Sequence, residues 1–163
     1  MKKSAERAMF FKQLAEKAKK AQCFIYNPDR DISVNTNRLE IGEPVLTHTG
    51  WGVNEQQVWL EFYCFNKEKT AEHAAENRER FQKLFSHKEE IESAFGESLI
   101  WDFEPTRIKQ SVISRTPVAA TVYNQYLWEK IQDDLVDRTA RLGAALKPVL
   151  CSMRVKAVSF DAG

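Results

Sequence analysis

Three histidines, three cysteines and a few carboxylates set near lysine and arginine are the side chains of this sequence that could do chemistry. Histidine is the commonest metal ligand and general base near neutral pH. His73 and His87 sit fourteen residues apart in a run with helical spacing, which separates them by roughly 21 Å along an axis. They cannot share a metal. His48 lies apart, in an irregular stretch. No HExxH, no CxxC and no Cys–His cluster occurs, so no metal site is expected. Cys23 and Cys64 stand among apolar residues, where a thiol behaves as a small hydrophobe, and no GxSxG elbow is present. The six glycines form no GxGxxG and no Walker-type loop, so neither a phosphate cradle nor a bound cofactor is expected.

The carboxylates leave one reaction to consider, metal-dependent cleavage of nucleic acid. The order helix, strands, helix, strand loosely resembles the restriction-endonuclease-like core. That chemistry needs an Asp on one strand and Glu-x-Lys on the next, because carboxylates hold Mg²⁺ while the lysine positions the attacking water. Glu61 and Asp102 are the candidates on strands, but Phe62-Tyr63 follows Glu61, and Asp102-Phe103-Glu104 adjoins a turn. The motif is absent. Asp102, Glu104, Arg107 and Lys109 read instead as a hairpin with cross-strand ion pairs. Arg107, Lys109 and Arg115 share one segment and form the candidate nucleic-acid contact, with Trp51, Trp59 and Tyr63 as stacking surfaces. Lys147, Arg154 and Lys156 add a second basic group near the C-terminus.

Composition narrows the partners. The 163 residues carry 24 basic and 23 acidic side chains, a formal net charge of +1, which is no large basic surface. With 43% hydrophobic and 29% charged residues the chain reads as one ordinary globular domain, 1–163. No apolar run approaches the roughly 18 residues of a membrane span, and charges from Lys12 to Lys20 interrupt any signal-peptide core. Three cysteines far apart fit a reducing, cytoplasmic setting.

The elements that must position these residues follow from periodicity. Phe10, Phe11, Leu14, Ala15 and Ala18 make one face of a first helix over 4–21. Ile32–Val34 and Leu39–Ile41 alternate as two short strands joined near Thr36-Asn37, and Val45–Thr49 suits a third. Thr49-Gly50-Trp51-Gly52 reads as a small loop with Trp51 exposed. Gln57–Phe65 is the clearest strand, apolar on both faces and therefore central, with Glu61 its one polar intruder. Thr70 suits an N-cap for one long helix ending at Gly96, whose stripe includes Phe81, Phe85 and Phe95 as buried residues. Ser98–Phe103 and Arg107–Arg115 form a hairpin, the second strand an exposed edge that invites pairing with another copy. A last helix runs from Tyr123 to Leu146 and stops at Pro148, and the tail 151–163 is an edge strand or loose. The fold class is α+β, a mostly antiparallel sheet of about five strands packed by three helices in the order α-β-β-β-α-β-β-α.

The runs VWLEFYCF, FQKLFSHKEEIESAFGESLIWDF, RIKQSVI and WEKIQDDLVDRTARLGAALKPVL together resemble the bacterial and archaeal domain of unknown function 4268. Its pattern K-x-x-IE-x-x-FG-x-x-L-x-W stands here as Lys88, Ile91, Glu92, Phe95, Gly96, Leu99 and Trp101. The resemblance spans about residues 8–150 in layout and 56–150 in detail, while 23–55 departs from the family's pattern. It implies an accessory domain of the kind that follows a nuclease-like domain, with no catalytic residues to carry over. The expected function is a non-catalytic binding module linked to DNA processing or defence. A divergent nuclease and a homodimeric interaction protein are the alternatives. The expected partners are a protein, a second copy or nucleic acid.

Overall fold

In a computed structural model the described residues are 2–22, 32–34, 38–42, 47–54, 56–64, 70–107, 110–115 and 123–161. Helix α1 (Lys2–Ala21) leads into strands β1 (Ile32–Val34), β2 (Arg38–Gly42), β3 (Thr47–Val53) and β4 (Val58–Cys64). Helices α2 (Ala71–Ser86) and α3 (Lys88–Phe95) follow, then β5 (Ile100–Asp102) and β6 (Gln110–Arg115). A 3-10 turn at Gln125–Leu127 opens onto the long helix α4 (Trp128–Asp161). The described strands form one six-stranded sheet in the order β1-β2-β3-β4-β6-β5, every pair antiparallel. The α+β class stands. The strand and helix numbers differ from expectation for two local reasons.

The first lies at Thr49–Gly52, which is strand rather than loop. Trp51 is directly opposite Leu60 on β4 and fully buried, and its Nε1–H donates to Thr139 Oγ1 on α4 at 2.8 Å. The glycines here serve packing. A Cβ on Gly52 would lie 2.3 Å from the Trp59 indole, so the bare backbone lets that ring rest against β3. The second lies at His87, where the expected single helix divides. The His87 N–H bonds back to the Leu84 carbonyl, ending α2, while its own carbonyl accepts from Ile91 N–H to begin α3. Phe85, in the last turn of α2 before the break, packs on Phe81 and on Trp101 of β5 and is 49% exposed, although Phe81, Leu84, Ile91 and Phe95 are buried. The expected burial of Phe85 is therefore corrected. Both caps are as expected: Thr70 Oγ1 accepts from His73 N–H, and Gly96 takes φ +94.

Helix α4 passes through Pro148 and continues to Asp161, which replaces the expected stop and the expected edge or loose tail. Leu142, Leu146, Val149 and Leu150 keep the helical period and are all buried, so core contacts on both sides of the proline hold the helix. The described part of the hairpin strand, Gln110–Arg115, is interior, bonded to β4 on one side and β5 on the other, so among the described strands the edge expected at 107–115 belongs instead to β5. Gln110 is fully buried; it receives Glu104 N–H on Oε1 and donates to the Glu104 and Arg107 carbonyls, closing the turn before the strand starts.

Strand parity assigns the two sheet faces. Thr49, Trp51, Leu60, Phe62, Val112, Ser114 and Trp101 share one side by register. Thr139 and Arg138 of α4 bond to Trp51 and Ser114, and Phe81 of α2 packs on Trp101, so both helices cover that side. The core lies between, with Phe10, Phe11 and Leu14 of α1 and Trp128, Ile131 and Leu135 of α4 in one cluster with Leu60 and Phe62. Arg138 crosses this layer, bonded to Asp134, Glu97 and Ser114, so its buried charge is fully paired.

Candidate binding face of the sheet

The opposite parity gathers the candidate residues. Trp59, Glu61, Ser111, Ile113, Arg115 and Asp102 share the face turned away from α2 and α4. The central strand β4 is apolar on both sides as expected, and Glu61 is buried within it at 5% exposure. Its carboxylate is accommodated by donors: Ser111 Oγ–H bonds to Oε1 at 2.6 Å and Trp59 Nε1–H to Oε2 at 3.4 Å. Glu61 is therefore an anchored acceptor in the sheet.

Asp102 is also committed. Arg107 clamps it through both terminal nitrogens, Nη2 to Oδ1 at 2.8 Å and Nη1 to Oδ2 at 3.0 Å, and reaches its backbone carbonyl at 3.4 Å. This bidentate fork is the strong form of the pair, and it holds the Arg107 guanidinium above its ordinary pKa, chiefly through the Asp102 hydrogen bond. Arg107 lies in the turn, not on the strand where the sequence placed it, and the partner of Asp102 is the expected hairpin ion pair. Glu61 and Asp102 occupy β4 and β5 with β6 between, offset by two residues, so about 10 Å or more separates their backbones.

No group of three or more His, Cys, Asp or Glu converges on a metal-sized site among the described residues. His73 Nδ1 meets Thr70 Oγ1 at 2.9 Å and His87 Nδ1 meets Glu90 Oε2 at 3.0 Å, each a helix-end contact. The side chain of His48, together with Cys23 and Lys109, lies outside the described residues. Of the expected stacking aromatics, Trp51 is in the core and Tyr63 is 3% exposed. Trp59 alone of the three is half-exposed.

Trp59 and Arg115 are register partners on β4 and β6, side by side on the same face. They line a depression of about 240 Å³ with Asn54, Gln57, Glu61 and Ile113. Asn54 Oδ1 accepts from the Gln56 and Gln57 N–H groups, which fixes the turn at its rim. The indole is therefore held from three directions: Gly52 beneath it, Glu61 on its N–H and Arg115 beside it. Sequence named Trp59 and Arg115 separately. It carried no signal that they adjoin, because fifty-six residues separate them.

No described helix is long and apolar enough to cross a membrane. The family described as Domain of unknown function (DUF4268) matches residues 46–150, which includes β3 through the first two thirds of α4, so the departure expected over 23–55 does not hold for 46–55. No curated protein and no solved structure was found to match the chain. With most of its length matched, from the strand that buries Trp51 to the helix that seals the core, the chain belongs to the DUF4268 family.

Proposed function

We propose that this chain is a non-catalytic binding module that serves DNA-processing or defence proteins by holding a nucleic-acid strand on the second face of its sheet. The observation that carries the reading is the Trp59–Arg115 pair, a positioned aromatic ring beside an exposed guanidinium in a depression of about 240 Å³. Every base has a π-face, so such a ring binds single strands with little sequence preference, while the cation answers a phosphate. Two further facts support binding over cleavage. Glu61 is bonded by Ser111 and Trp59, and Asp102 is clamped by Arg107, so neither carboxylate is arranged to hold a catalytic metal.

The test is a titration of the full chain with a fluorescent single-stranded oligonucleotide at low salt, repeated at rising ionic strength. Trp59→Ala should weaken binding by about 1–3 kcal/mol, the range for one stacked base. Arg115→Glu should weaken it too and flatten the salt slope by about 0.7, one phosphate's worth on a single strand. Absence of binding at low salt, or binding indifferent to both changes, overturns the proposal. So would Mg²⁺-dependent cleavage that Asp102→Ala abolishes.

A further inference from the structure

Stacking accepts every base, so a preference at the Trp59–Arg115 depression has to come from the groups around the ring. Strand register arranges those groups. Trp59 and Arg115 oppose one another on β4 and β6, and Glu61 stands two residues along β4 on the same face, diagonal to Arg115. Diagonal neighbours on paired strands lie about 7–8 Å apart, within reach of long side chains. All three residues line the depression. Glu61 is its buried member, at 5% exposure, and Arg115 its exposed one. Ile113, the direct neighbour of Glu61 on β6, makes the wall beside the carboxylate apolar.

The carboxylate is held in place. Ser111 Oγ–H reaches Oε1 at 2.6 Å, and Trp59 Nε1–H stands 3.4 Å from Oε2, longer than an ordinary N–H···O bond. An ionised carboxylate offers about four acceptor positions on its two oxygens, so donors from a ligand can add to these two. An aromatic ring, a pair of acceptors and a fork of donors therefore border one space.

We propose, resting on the nucleic-acid reading above, that the depression selects guanine within a single strand. Guanine presents two adjacent donors, N1–H and N2–H, on its Watson–Crick edge and two acceptors, O6 and N7, on its Hoogsteen edge. The donor pair matches the Glu61 carboxylate. The acceptor pair matches the Arg115 guanidinium, the commonest specific contact between arginine and a base. The two edges adjoin at O6, as Glu61 and Arg115 adjoin on the sheet, and Trp59 supplies the stacking face. Other bases fit the carboxylate less well. Thymine and uracil flank their single N3–H with two carbonyl oxygens, which a carboxylate repels. Cytosine and adenine set one amino group beside an acceptor ring nitrogen. A carboxylate on a buried strand costs desolvation, which the two guanine donors offset.

Anisotropy titrations of the full chain at low salt test this, with strands of about twelve residues in which dT alternates with dG, deoxyinosine, dA or dC, beside an all-dT strand. The dG strand should bind about tenfold or more tighter than all-dT. Deoxyinosine lacks only the N2 amine and should lose about threefold or more of that gain. Glu61→Gln exchanges an acceptor for a donor and should bring the dG-over-dT ratio within about threefold. Circular dichroism checks the fold of that variant, and the deoxyinosine strand reads the same contact on the unaltered chain. Guanosine monophosphate, with one base and one phosphate, should compete about tenfold or more weakly than the dG strand; equal competition overturns the assignment to a strand. A dG strand bound no tighter than all-dT, deoxyinosine equal to dG, or a full dG preference in folded Glu61→Gln overturns the proposal. Equal binding of every strand that Trp59→Ala still weakens overturns guanine selection alone and leaves the stacking site standing. Binding of no strand overturns both.

Discussion

Burial pushes the Cys64 thiol from an ordinary 9.0 up to about 12, against a smaller opposing pull from Arg80. The native fold therefore favours the protonated thiol. This contribution is fully present below pH 9 and is lost as pH rises from about 9 towards 12, where the unfolded chain ionises first. Cys64 should resist iodoacetamide at pH 8 in the folded protein and react promptly in denaturant, as mass spectrometry of the labelled peptide would show; equal native labelling would contradict it. The apolar neighbours of Cys64 already marked it as a core thiol. The same local logic marked Glu61 as an intruder on an apolar strand. Its rescue by Ser111 Oγ was not legible, because that donor comes from fifty residues later. Asp102 and Arg107 were close enough in sequence for their ion pair to be expected.

At the scale of elements, long-range burial overrides local signals. Pro148 cannot donate to the Ala144 carbonyl, and its ring crowds that turn, yet α4 runs on because Leu146, Val149 and Leu150 are buried around it. Pro148 itself is exposed, so Pro148→Ala should restore the missing bond at no cost in packing. The change should raise stability by about 1–3 kcal/mol, measured by urea denaturation; a loss would show that the kink is needed. The break at His87 obeys the same rule in reverse. The stripe from Ala71 to Phe95 reads as continuous, but one turn reorients it so that Ile91 and Phe95 face α4 while Phe85 turns towards β5. Element type and position were legible for α1, β1, β2, β4 and α2. The glycines of β3 obscured a strand whose partner, β4, supplies the ring that needs them.

For the whole molecule, one hydrophobic cluster joins α1, β3, β4, β6, α2, α3 and α4 with no division among the described residues. Unfolding should accordingly be a single cooperative transition. The tryptophans report on separate parts of it, with Trp51 and Trp128 in the cluster and Trp59 on the opposite face. Fluorescence and far-UV circular dichroism should then give coincident midpoints, and two resolved midpoints would refute the single unit. By itself the sequence determined the α+β class, the central strand, the helix caps, the family pattern from Lys88 to Trp101 and the absence of motifs for metal, phosphate or acyl chemistry. Those properties rest on local spacing and residue type. Tertiary structure alone decided that β6 is interior and β5 an edge among the described strands, that Trp51 is core, and that Trp59 and Arg115 adjoin. Strand order and register set them, and these depend on which distant surfaces bury each other, a choice no short window of sequence contains.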